Sequence, residues 1–177
     1  MPGNRVRPIV ASRLIRAPAD QVLRFLADLE NHARLAPGSV ELLSLERGPD
    51  LCTRALVELH GPLGIKRTAT TELVPTRVPD SIAGRASVGE GTLVSVVWRI
   101  HRRGASSAVT LWATLDATRR LDAMLLRLGG RRWLAKRFAV ALDHLSDELA
   151  LVRPPRNRVE DRHRVEIVAP LRAVRAR

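Results

Sequence analysis

The chain has 177 residues, room for one domain and a tail, and 30 basic residues against 18 acidic ones give a formal charge of +12. The cations are nearly all arginine (Lys66 and Lys136 are the only lysines), and the aromatics are Phe25, Phe138, Trp98, Trp112 and Trp133 alone. A single cysteine, Cys52, excludes a disulfide scaffold or a cysteine-built zinc cluster, no apolar run nears the ~18 residues of a membrane span, and MPGNRVRPIVASRLIR lacks the apolar stretch of a secretory signal, so the expected compartment is the cytoplasm.

Val6–Ile15 reads as a strand, rich in β-branched residues with polar ones interleaved. Ala17-Pro18-Ala19-Asp20 follows, with a proline shaped for a first helical turn and an acid suited to the positive end of the dipole. Val22, Leu23, Phe25, Leu26 and Leu29 then recur at helical spacing. That helix should end near Asp28, and a short second one over Glu30–Ala36 should stop at Pro37-Gly38.

From Ser39 to Leu115 six strands are expected: Val40–Glu46, Thr53–His60, Lys66–Val74, Asp80–Ser87, Thr92–His101 and Ser107–Leu115. Every break contains Gly or Pro, and the spacing is too short for crossover helices, so the strands should form an antiparallel meander. From about Arg119 to Leu149, Leu121, Leu125, Leu128, Phe138, Leu142, Leu145 and Leu149 recur at three- and four-residue steps, and Gly129-Gly130 predicts a kink. A long amphipathic helix after an antiparallel sheet has to bury its stripe on that sheet. The expected architecture is α+β: seven strands curled around a C-terminal helix, two short helices closing one end, and a cavity between sheet and helix.

Residues 1–150 form this domain, and residues 151–177 read as a separate, disordered basic tail. The tail holds eight arginines and three acids, a net of +5, and opens with Pro154-Pro155. It serves solubility or contacts an anionic membrane surface or a protein. Sequence-specific nucleic-acid binding is disfavoured, because no zinc-finger spacing, recognition helix or stacking aromatics are present.

Strand parity separates inner from outer faces. Ala55, Val57 and Leu59 should face inward, as should Val94, Val96, Trp98 and Ile100. Parity does not decide Ser107–Leu115, and Trp112 is placed inward. Glu58 and Glu72 fall on the solvent side, leaving no charged residue assigned to the inner surface. The expected lining is Val57, Leu59, Val94, Val96, Trp98, Trp112, Leu125, Phe138 and Leu142, suited to an apolar ligand. Two turns would flank its mouth: Gly61-Pro62-Leu63-Gly64 and Gly89-Glu90-Gly91.

The element order resembles the helix-grip fold of the START/Bet v 1-like superfamily (SRPBCC; polyketide cyclase/dehydrase and lipid transport proteins). The resemblance runs over about residues 5–150 and begins at Ser12–Val22, a strand leaving through Ala17-Pro18 into a helix with Val22 and a downstream Asp28. Arg34-Leu35-Ala36-Pro37 lacks the aromatic often found before that proline. Ala36-Pro37-Gly38 with Leu59-His60-Gly61-Pro62-Leu63 is similar to the members of that superfamily associated with carbon monoxide dehydrogenase. The resemblance implies a cavity for a hydrophobic small molecule such as a lipid, quinone or polyketide. It does not name the ligand, and a minority of the superfamily are enzymes.

Catalytic signals are weak. None of His32, His60, His101, His144 or His163 has metal-ligand spacing, and each reads as a surface or hydrogen-bonded residue. No nucleophile elbow or phosphate loop occurs, and Cys52 has no base near it in sequence. No catalytic residue, metal or cofactor is assigned. The leading expectation is a binder or carrier of a hydrophobic molecule. The alternatives are a cyclase or dehydratase, which needs an inward His, Asp or Glu, and an accessory protein of a membrane or redox complex that uses the tail.

Overall fold

A computed structural model describes residues 7–48, 53–118 and 120–151. Cys52, His163 and the expected tail beyond residue 151 lie outside them. Strand β1 (Ile9–Ile15) leads into α1 (Ala19–Leu26) and α2 (Leu29–Leu35). Six strands follow: β2 (Val40–Arg47), β3 (Thr53–His60), β4 (Lys66–Val74), β5 (Ser81–Val88), β6 (Thr92–Arg103) and β7 (Ser106–Ala117). After β7 come α3 (Arg120–Leu125), a π turn (Leu126–Gly130) and α4 (Arg131–Leu151).

All seven strands pair antiparallel in the order β1-β7-β6-β5-β4-β3-β2. This is the expected meander, with β1 returning to pair with β7. The expected break in the long helix falls at Gly129, whose φ of 115° is a conformation that glycine adopts at no steric cost.

Local chemistry accounts for the ends of the short helices. Asp28 caps α2, its side chain accepting from Glu30 N at 3.1 Å. The last carbonyls of α1 are taken up by α2: Asn31 Nδ2 donates to Phe25 O at 3.0 Å and His32 Nε2 to Leu26 O at 2.8 Å. Ser107, fully buried, donates to Ala17 O at 2.7 Å and pins the entry of α1 to β7. Arg102 clamps the same end, donating to Asp80 at 2.8 and 2.9 Å and to Asp20 at 2.8 Å.

The apolar interior falls into two clusters. The larger joins Ile15, Val22, Leu26 and Leu35 to Trp98, Ile100, Val109 and Leu111, under Ala141, Leu142, Leu145 and Leu149 of α4. The smaller joins Leu29 to Ala55, Val57 and Ala69. Thus α2 belongs to both, Leu29 to one and Leu35 to the other.

A bulge at Leu43 resets the parity of β2, so that Val40, Leu42 and Leu45 all pack on the smaller cluster while Leu43 is exposed. The register also corrects one expectation. Trp112 sits opposite Val10 and Val97, on the outer face, while its neighbours Leu111 and Ala113 are buried inside. The Arg99 guanidinium lies 4.6 Å from the Trp112 ring centroid, and this stacking covers an aromatic on an otherwise open face.

Candidate ligand site between the sheet and the long helix

Cross-strand pairing carries one inner face from β3 to β7. Leu59 opposes Arg67, Val57 opposes Ala69, and Thr71 and Leu73 oppose Ala86 and Gly84. Ala86 and Gly84 in turn oppose Val94 and Val96, and Ile82 opposes Trp98. At one end this face is sealed: Trp98, Ile100, Val109 and Leu111 are buried under the C-terminal half of α4. Toward the other end Leu59, Thr71, Leu73, Ala86, Val94 and Val96 are only partly buried. The helix shows the same gradient, with Ala141, Leu142, Leu145 and Leu149 of its C-terminal half buried and Leu134 and Phe138 partly buried. The first half of α4 therefore leaves the middle of the sheet incompletely covered.

The other expected lining residues distribute along this gradient. Val57 is buried in the smaller cluster, and Trp98 and Leu142 are buried in the larger. Leu125 lies in α3, its side chain outside the described part of the structure.

Both expected mouth segments are tight turns. Pro62–Gly64 form a single 3-10 turn, closed by Ile65 N donating to Pro62 O at 3.3 Å and Gly61 N to Ile65 O at 2.7 Å. The side chain of Leu63 is not described. The turn at Gly89-Glu90-Gly91 is tied to β4 by Gly89 N donating to Thr68 O at 2.9 Å.

Three charged or titratable groups inside the grip escaped the sequence reading. Arg67 lies on the inner face of β4, and its guanidinium pairs with Asp122 of α3. Asp122 is buried and also accepts from the buried Thr92 hydroxyl of β6. One carboxylate thus fastens α3 to two strands at the less covered end of the sheet. Parity could have found Arg67: with Glu72 facing out, residues 67, 69, 71 and 73 face in. Nothing in a short apolar segment marks Asp122.

His32 is the third. Its spacing, three residues from both Leu29 and Leu35, places it where the two clusters meet. Its ring stands edge-on to Trp98, 6.1 Å between centroids. Burial holds its pKa below the usual 6.5, against the weaker opposing pulls of the Leu26 carbonyl and Asp28.

The group most like a metal site lies on the outer face. Glu41, Glu58 and His60 present ligand atoms within 4.8 Å of one another. A cation already serves it: Lys66 Nζ is 2.7 Å from Glu58 Oε1, and His60 Nε2 is 2.8 Å from the same atom. Lys66 first, and then His60, pulls the Glu58 pKa below its ordinary value. This cluster has no access to the inner face and reads as a surface ion-pair network.

A seven-stranded antiparallel sheet gripping a C-terminal helix, with two short helices after the first strand, is the helix-grip fold of the START/SRPBCC superfamily. Residues 8–150 match the family described as polyketide cyclase / dehydrase and lipid transport, and the chain belongs to it. No curated protein matches it in sequence. Its fold is similar to that of TTHA0849 from Thermus thermophilus (TM-score 0.67, 20% identity, 84% of this chain and 100% of that one). It is also similar to the ZhuI aromatase/cyclase from Streptomyces sp. R1128 (TM-score 0.58, 20% identity, 84% and 99%). A START superfamily protein from Mycobacterium smegmatis has the same fold (TM-score 0.58, 15% identity, 80% and 98%). Among the described residues no helix is long and apolar enough to cross a membrane.

Proposed function

We propose that this protein binds or carries a hydrophobic small molecule, of lipid, quinone or polyketide type, against the inner face of the sheet under the first half of α4. The observation that carries the reading is the partly buried apolar strip that runs from Leu59 and Leu73, at the margin of the smaller cluster, through Ala86 and Val94 to Val96, at the margin of the larger. Apolar surface left in contact with water forgoes about 25 cal/mol per Å², which a ligand seated there would recover. The turns at Gly61–Gly64 and Gly89–Gly91 would border the mouth. In this reading residues 1–150 are the binding domain and the basic segment after it is a separate element.

Native mass spectrometry and solvent extraction of the purified protein provide the test. A co-purifying hydrophobic molecule, or a thermal shift with members of an apolar ligand panel, is the expected result. A protein that stays empty and unshifted across the panel refutes the proposal.

A cyclase or dehydratase is the second reading, favoured by the inward Arg67–Asp122 pair and by neutral His32. An aromatase/cyclase shares the fold. This reading predicts turnover of a reactive polyketide mimic that falls at least tenfold in Asp122→Asn or His32→Gln. Binding without turnover removes it.

A further inference from the structure

The corner where α3 turns into α4 carries an arrangement that the proposed ligand site does not explain. Along α4 the charges run against the helix dipole. Arg131, Arg132, Lys136 and Arg137 occupy its first two turns, while Asp143, Asp147 and Glu148 lie toward its other end. Cations are disfavoured at the positive end of a helix and acids at the negative end. Asp143 and Glu148 are compensated by Arg13 and Arg34, and Arg131 donates to Pro8 O at 3.3 Å. Among the described residues Arg127, Arg132, Lys136 and Arg137 have no acidic partner.

Apolar groups stand beside these cations. At the kink Leu128 is 72% exposed and Met124 is 56% exposed, and both are large side chains that folding ordinarily buries. Trp133 lies one turn further on, with the Arg137 guanidinium 5.3 Å from its ring centroid. Trp133, Lys136, Arg137 and Val140 line a depression of about 240 Å³. Within α4 itself Lys136 and Arg137 lie one to two turns past Arg131, on the same stretch of helix as Trp133.

We propose that this corner docks on an anionic lipid bilayer. Met124 and Leu128 enter the boundary of the acyl chains. Trp133 sits at the interface, and Arg127, Arg132, Lys136 and Arg137 lie over the lipid phosphates. Charge complementarity selects an anionic partner, and the two exposed apolar side chains select the bilayer over a nucleic acid, whose backbone offers them nothing. Among the described residues other arginines, such as Arg16, Arg77 and Arg85, also lack an acidic partner; what sets this corner apart is that its four stand beside exposed Met124 and Leu128 and beside Trp133. Docking here would bring the less covered end of the sheet, where Asp122 fastens α3, to the membrane. The proposal does not depend on the proposed ligand site.

The test is co-sedimentation of the full chain with vesicles of phosphatidylcholine alone and of phosphatidylcholine with phosphatidylglycerol. Binding is expected only to the second and should weaken as salt rises, because exposed charges are screened within ~8 Å at physiological ionic strength. Each cation near such a surface contributes about fivefold in partitioning, so the combined variant R132Q/K136Q/R137Q should lose about 100-fold. Leu128→Ser should lower binding while keeping the salt dependence. These positions are exposed or half-buried, so unchanged thermal unfolding separates loss of docking from loss of fold. The proposal is overturned if the combined variant partitions as the wild type does, or if the wild type binds duplex RNA and not the anionic vesicles.

Discussion

Replacing Asp122 by alanine removes the one carboxylate that ties α3 to both β4 and β6. The side chain of Asp122 is 10% exposed and that of Arg67 is 35% exposed. Breaking a fully buried ion pair costs about 3–5 kcal/mol, because the abandoned charge loses its partner without regaining water. Arg67 retains about a third of its exposure, so water takes up part of that cost and about 2 kcal/mol remains. The orphaned Thr92 hydroxyl adds about 1 kcal/mol. For a chain of this size each kcal/mol moves the thermal midpoint by about 2–4 °C, so a loss of about 3 kcal/mol in Asp122→Ala should lower it by about 6–12 °C. Circular dichroism melts and urea titrations of the two proteins provide the measurement. Replacing both partners, Arg67→Met with Asp122→Leu, should recover part of the loss, since neither member of this pair is left facing the other's vacancy. An Asp122→Ala midpoint within about 1 °C of wild type, at a difference expected to be several times larger, would refute the assignment of Asp122 as a structural tie.

Three further outcomes follow from the geometry. Leu145 is fully buried between α4 and the sheet, so Leu145→Ala should cost about 3 kcal/mol in urea unfolding, and a loss below about 1 kcal/mol would contradict its place in the core. Val96→Phe puts added volume on the partly covered inner face and should weaken binding of any hydrophobic ligand about tenfold or more, whereas Trp112→Ala on the outer face should leave binding unchanged; equal effects in a ligand-binding titration would overturn the face assignment. Burial holds the folded-state pKa of His32 below the ordinary 6.5, so acid favours the unfolded chain, which takes up the proton more readily. The stability that depends on neutral His32 is therefore full above pH 6.5 and is lost as pH falls through the folded-state value. Urea unfolding at neutral and mildly acidic pH should show a smaller acid loss in His32→Gln than in wild type, and identical pH profiles would remove His32 as the cause.

Element order and fold class are legible along the chain from local patterns alone. Alternation of period two, turns marked by Gly and Pro, and a helical stripe after the last strand are local signals that every long-range contact respects. Parity alone also placed Val57, Val94, Val96 and Trp98 on the inner face, because charged neighbours marked the other side of β3 and β6. It failed at Trp112, where both faces of β7 are apolar and only pairing with β1 and β6 decides the phase. The tie between Arg67 and Asp122 joins residues 55 positions apart, and no local pattern encodes such a pairing. His32 needed the packing of α2 between two clusters before its burial could be seen. The charge followed the same division. The excess of +12 was legible from composition, but that part of it stands unpaired beside Leu128 and Met124 was decided by the fold, which uses its acids elsewhere, on Arg13, Arg34 and Arg67.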